Sequence, residues 1–189
     1  MTQQVWKNET GKVFYGVLTY TVLSMLYSVL SMVAMAQSLF GGTPWYMYLM
    51  PILIVGGYVF YFLGINNLAK ELTGEDQNSF MKIRTAIILS IVGMLCAMIP
   101  LAGKFIAAIL NIVAIVFYLK AYSALRDSST FPEMARKGAG LLRTSMIINI
   151  ISIVIGIIPI VGYIGKVLDI AVLILIIVGW SKVKNADVA

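Results

Sequence analysis

Histidine is missing altogether from this chain of 189 residues, and cysteine occurs once, at Cys96. Without imidazole the sequence lacks the usual neutral-pH general base and the commonest haem and metal ligand. A single cysteine inside an apolar run leaves no disulfide framework and no thiolate cluster to assemble. Charge is scarce too: Asp, Glu, Lys and Arg make up 12% of the residues, against about 25% in an ordinary soluble domain. No Gly-rich phosphate-binding signature is present. With no acidic cluster in the apolar runs, only a Ser or Asp chemistry without recognisable partners remains. The sequence therefore predicts a protein that is not an enzyme, with no catalytic, cofactor-binding or metal-binding residues.

What is abundant is apolar. Hydrophobic residues account for 60% of the chain, and its mean hydropathy is +0.94. Too little polar surface remains to cover a globule in water, so the composition points to a chain solvated by lipid. A helix crossing the hydrocarbon needs roughly 20 residues, with about 17 as a working minimum. Six segments reach or approach that length, at about 13–39, 45–68, 85–101, 105–122, 141–160 and 164–180. The first run follows Lys7 and Lys12, and Ala34-Met35-Ala36 resembles a cleavage site. It is longer than the roughly 7–15 residues of a signal-peptide core, so an uncleaved first span is expected.

Pro and Gly punctuate the runs in pairs. Gly41-Gly42-Thr43-Pro44, Pro100-Leu101-Ala102-Gly103 and Pro159-Ile160-Val161-Gly162 each favour a stop and a turn. The expected fold is all-α: six transmembrane helices as three tandem hairpins in one membrane domain, residues 1–189. The hairpins lie at about 13–69, 84–126 and 140–184, with cytoplasmic loops at about 70–83 and 123–139. In the second loop, Thr130-Phe131-Pro132-Glu133 fits a capping box with Pro in the first turn.

Charge orients the bundle. Twelve of the fourteen Lys and Arg residues fall at the end that holds both termini; only Lys104 and Lys166 lie at the hairpin turns. Short loops rich in Lys and Arg stay in the cytoplasm. A cell (inner) membrane protein with both termini inside is expected. The formal net charge of +6 then reflects orientation and anionic headgroups, not nucleic acid. Trp45, Tyr46 and Tyr48 are expected at the outer interface, and Tyr122 and Trp180 at the inner one.

An internal repeat underlies the hairpins. Arg84-Thr85 opens one run that ends at Pro100, and Arg143-Thr144 opens another that ends at Pro159, with Gly103 and Gly162 in step. After a one-residue deletion, Asn111 aligns with Asp169, and Ala121-Tyr122-Ser123 with Gly179-Trp180-Ser181. The first hairpin fits more loosely, through Tyr61 against Tyr118 and Gly64-Ile65-Asn66 against Ala121-Tyr122-Ser123. Units of about 58–59 residues with two spans each would be parallel repeats, arranged about an axis along the membrane normal.

Small residues four apart let helices approach in lipid. Gly93 with Ala97, Ser152 with Gly156, and Ser24 with Ser28 are expected as packing seams, or as faces for a protein partner or a second copy. Polar positions inside the spans are fewer. Asp169, Asn111 and Lys166 mark a candidate polar vestibule, or else an Asp169–Lys166 pair that joins helices. Ser90 and Asn149 share a repeat position deeper in the bundle and are either structural glue or the lining of a narrow lumen.

Two functions remain. The first expected is an accessory or scaffold subunit packing against other membrane proteins or lipid. The alternative is a channel or passive transporter for a small uncharged or weakly polar solute, which requires the polar positions to converge on an axial cavity.

Overall fold

The computed structural model of the chain describes residues 1–41, 44–97, 99, 102–156 and 162–188; the side chains of 32, 33, 35–41, 104, 156, 162–164 and 166 lie outside that description. Six helices follow one another: α1 (Gln3–Gly41), α2 (Tyr46–Glu71), α3 (Gly74–Cys96), α4 (Ala102–Asp127), α5 (Glu133–Gly156) and α6 (Gly162–Lys184). No strand occurs among the described residues. Five of the helices, α1 to α5, contain a stretch long and apolar enough to cross a membrane. The first turns of α6 lie partly outside the described side chains. So do the expected turns at Gly42-Thr43, Pro100 and Pro159.

The helices run further than their apolar segments. The loops expected at about 70–83 and 123–139 shrink to Leu72-Thr73 and residues 128–132. At the first, Gly74 adopts φ +63°, a conformation that suits glycine. Gln77 Nε2 donates to Ala69 O at 3.0 Å across that corner, while Glu75 and Asp76 sit at the positive end of α3. At the second, Ser128 Oγ accepts from the backbone N–H groups of Thr130 and Phe131 at 3.3 and 3.2 Å. Thr130 is not the cap of α5: its hydroxyl donates to Asp76 Oδ2 at 2.7 Å, tying this linker to α3.

Each helix packs on two others. Hairpin partners touch, α1 with α2, α3 with α4 and α5 with α6, and the hairpins join through α2 with α3, α4 with α5 and α1 with α6. The six helices therefore close into a ring, and among the described residues no backbone approaches the one opposite. The joints between hairpins repeat. Arg84 on α3 donates to Asn66 Oδ1 on α2 at 3.1 Å, and Arg143 on α5 donates to Ser123 Oγ on α4 at 3.0 Å. Ile65, Tyr122 and Trp180, aligned in the sequence, are all fully or almost fully buried. Tyr122 and Trp180 are buried inside the ring, whereas Trp45 and Tyr48 are exposed.

Among the described residues, the packed interior gathers at one end. The contiguous core, including Trp6, Phe80, Ile83, Leu125, Phe131, Leu142 and Val183, lies in the half of the ring nearest the termini. Phe131 from the second linker fills its centre, edge-on to Trp6 at 5.7 Å and tilted against Phe80 at 6.0 Å. The chain ends close the ring there. Trp6 Nε1 donates to Val183 O at 3.1 Å, Gln3 bonds Ala186, Asp187 and Val188, and Lys184 Nζ donates to Tyr15 OH at 3.0 Å.

Close approach within hairpins depends on glycine at positions other than those expected. A Cβ on Gly57 would meet Tyr20 N at 2.7 Å, and one on Gly138 would meet Gly179 O at 2.5 Å. Gly93 does face α4, but at an ordinary 3.5 Å. Ala97 is exposed, and Ser24 and Ser28 face a groove and make no seam. Gly156 lies outside the described side chains. Adjacent glycines in α2 provide a test, because nothing lies within 4 Å of a Cβ on Gly56. Gly57→Ala is expected to destabilise by about 1–3 kcal/mol, and Gly56→Ala to be neutral or slightly stabilising. Melting of the two variants in detergent checks this; equal melting temperatures would refute the α1–α2 approach.

Candidate functional site

Above the core the ring encloses a cavity of about 390 Å³ to which every helix contributes. Its polar lining comprises Tyr20 and Thr21 of α1, Tyr58 of α2, Ser90 of α3, Asn111 and Tyr118 of α4 and Asn149 of α5; α6 adds Ile176. Ser90, Asn111 and Asn149, three of the polar positions singled out in the sequence, thus meet in one space. Their bonding differs. Ser90 Oγ donates back to Ala86 O at 2.9 Å, the usual arrangement for a hydroxyl in an apolar helix. The carboxamides of Asn111 and Asn149 have no hydrogen-bond partner among the described residues and are left to whatever fills the cavity. An amide offers two donors and an acceptor; Asn149 is half-buried and Asn111 exposed, so both carboxamides are open to a ligand.

The floor of the cavity is aromatic. Tyr20 stacks on Tyr58 with ring centroids 4.3 Å apart and on Tyr61 at 5.9 Å. Tyr118 stacks on Tyr122 at 5.8 Å, and Trp180 stands edge-on to Tyr61 at 5.9 Å and Tyr122 at 6.3 Å. The Tyr61 and Tyr122 hydroxyls meet at 3.4 Å. Sequence reading placed tyrosines only at interfaces and missed this floor. The available signal was the mid-span position of Tyr20, Tyr58, Tyr61 and Tyr118, too deep for a headgroup anchor.

Asp169 lies elsewhere. It faces a second space, about 480 Å³, between α1 and α6, together with Thr21, Ser24, Ser28 and Asn149. Ser152 Oγ donates to Asp169 Oδ1 at 2.6 Å and also approaches Gly165 O at 3.0 Å, joining α5 to α6. Asn111 and Asp169, equivalent in the repeat, therefore do not form one vestibule. The side chain of Lys166 lies outside the described residues, so its pairing with Asp169 does too.

Among the described residues, no group of three or more Cys, Asp and Glu could hold a metal ion. The chain matches no family model, no curated protein and no solved structure. Function must therefore be argued from the site itself.

The bonding pattern separates lining from glue. Asn111→Leu and Asn149→Leu should shift stability by less than about 0.5 kcal/mol or raise it. Ser152→Ala should lower it by about 1–3 kcal/mol, because Asp169 loses its donor. Unfolding of Asn149→Leu in a detergent melt, with Ser152→Ala unaffected, would reverse the assignment.

Proposed function

We propose that this chain is a six-span membrane protein that binds a small, uncharged or weakly polar solute in its central cavity. The observation that carries this reading is the convergence of Ser90, Asn111, Asn149 and the tyrosines on a space reached by all six helices. Composition alone favours an accessory or scaffold subunit; the gathering of these polar groups around one space supports the solute reading instead. The chemistry on offer is neutral donors, acceptors and aromatic faces, which suits a solute with several hydroxyl or amide groups.

The arrangement supports three parallel hairpin repeats, whose Arg84–Asn66 and Arg143–Ser123 joints are alike. It supports α6 as the sixth span, since α6 completes the ring. Placing the Lys- and Arg-rich end in the cytoplasm makes the solid half the inner one, and the cavity then faces outward above a tyrosine floor. With that floor stacked the cavity is a binding site and not an open pore; passage would require the tyrosines to separate. The aliphatic outer faces, with Ile52, Phe105 and Val167 exposed, suit lipid.

Binding is measurable without knowing the transport step. A ligand present at about 100 times its Kd stabilises the protein that binds it by about 2.7 kcal/mol. A panel of urea, glycerol, small polyols and simple amides should contain solutes that raise the melting temperature of the wild type and not of Asn111→Leu/Asn149→Leu. No shift with any of them, together with a stoichiometric membrane partner on purification, would return the scaffold reading to first place. Orientation is tested separately in a Cys96→Ser background. A membrane-impermeant thiol reagent applied to intact cells should label a cysteine placed at Lys104 and leave one at Asn185 unlabelled.

A further inference from the structure

We propose that the space between α1 and α6 is a membrane-side binding site for a lipophilic amine, with Asp169 receiving the ammonium group, and that it leads into the central cavity. The second half of this statement rests on the solute-binding reading of that cavity; the first half does not.

The groove follows from how the ring is closed. Among the described residues, hydrogen bonds between α1 and the end of the chain lie between Gln3–Tyr15 on one side and Val183–Val188 on the other. Between Thr21 and Val29 of α1 and Asp169 and Ile176 of α6 lies the space of about 480 Å³. Its walls are mostly aliphatic, with Met25 and Val29 on α1 facing Leu173 on α6. Against them stand one carboxylate and the hydroxyls of Ser24 and Ser28. Asp169 is exposed here, and its bond from Ser152 is a neutral one. An aliphatic trough with a single acid calls for a ligand that is apolar along most of its length and cationic at one point.

Acyl chains alone satisfy the walls but offer nothing to the carboxylate, whose one hydrogen bond among the described residues comes from Ser152. A protonated alkyl amine satisfies both, because its ammonium supplies three donors to Asp169 and the serine hydroxyls. The groove also has an inner end. Thr21, Asn149 and Ile176 line both spaces, so a ligand in the groove touches the same carboxamide as a solute in the cavity. A compound that partitions into lipid can thus reach the polar interior sideways, between α1 and α6, without passing the tyrosine floor.

The test uses the full chain in phosphatidylcholine nanodiscs at pH 7, with tritiated dodecylamine and tritiated dodecanol as probes. The amine should bind saturably, and at least tenfold more tightly than the alcohol. Asp169→Asn, which keeps an acceptor for Ser152, should abolish that preference. Leu173→Trp, which fills the trough, should remove amine binding by a second route if Asp169→Asn fails to fold. Equal binding of amine and alcohol, or wild-type amine affinity in Asp169→Asn, would overturn the assignment. So would displacement of the amine by phosphatidylethanolamine in the disc, which would make the occupant a lipid. Asn111→Leu alters the cavity and leaves the groove intact, so the two readings fail separately. Solute binding lost in Asn111→Leu with no Asp169-dependent amine binding would leave the cavity and sink the groove. Amine binding that depends on Asp169, with no solute response in the cavity, would do the reverse.

Discussion

The closure between α1 and α6 governs the rest of the structure, because a ring whose members touch only their neighbours is no stronger than its last joint. The other five contacts are made by helices adjacent in the chain, at little cost in loop entropy. Only α1 with α6 must be found across the full length of the sequence. Trp6 on the Val183 carbonyl, Gln3 gripping the backbone after α6, and Lys184 lying over Phe14 and Tyr15 concentrate that joint at the ends of the chain. Truncating a buried Trp typically costs about 3–5 kcal/mol. Trp6 is fully buried and bonded at both functional ends of its ring system, by packing on Phe131 and through its N–H.

Why the closure lies at this end follows from the solvent. On the proposed placement, the starts of α1, α3 and α5 and the ends of α2, α4 and α6 project past the hydrocarbon into water. There, burying Trp6, Phe80, Phe131 and Leu125 gains roughly 25 cal/mol for each Å² of apolar area removed. Deeper in the membrane that gain vanishes, since lipid tails are as apolar as the side chains. The helices then hold together by close packing, at glycines such as Gly57 and Gly138, and by a few bonds such as Ser152 to Asp169. On that placement, water knits the end that holds the termini into a solid base.

This division also explains what was legible in the sequence. Helix number and hairpin pairing depended on apolar length and on Pro and Gly punctuation, both of which are local. Helix ends were misjudged because the helices were bounded by hydropathy, whereas Glu75, Asp76 and Gln77 favour a helix beginning in water. Of the expected seam residues, Gly93 faces α4 and Ser152 bonds α6, while Ser24 and Ser28 line a groove. Spacing identifies small residues that could allow close approach, but in Ser24 and Ser28 the same spacing lines a groove. Tyr122 and Trp180 were assigned to an interface because a ring with a polar tip is at home there; in the ring they face inward and meet Tyr61. Among the polar residues, the sequence found the members of the cavity and not their grouping. Repeat alignment placed Asn111 and Asp169 together because they are equivalent, yet equivalent positions in a ring point to different sectors of it.

That last distinction carries the functional argument. In a strict threefold ring, three equivalent residues would face one axis and form one symmetric site. On the proposed repeat the hairpins differ at the positions that matter: Ser90, Asn111 and Asn149 line the central space, while Asp169, the counterpart of Asn111, faces the one joint between hairpins without an Arg bridge among the described residues. The joint without that bridge is also the one that opens into a groove. Loss of symmetry at α1 and α6 thus gives the molecule a sidedness that three identical hairpins could not have, with a neutral polar interior on the axis and a single acid at its lateral opening. A solute that used both would need to be neutral and hydrogen-bonding at one end and cationic or amphipathic at the other. That narrows the chemistry more than either space does alone.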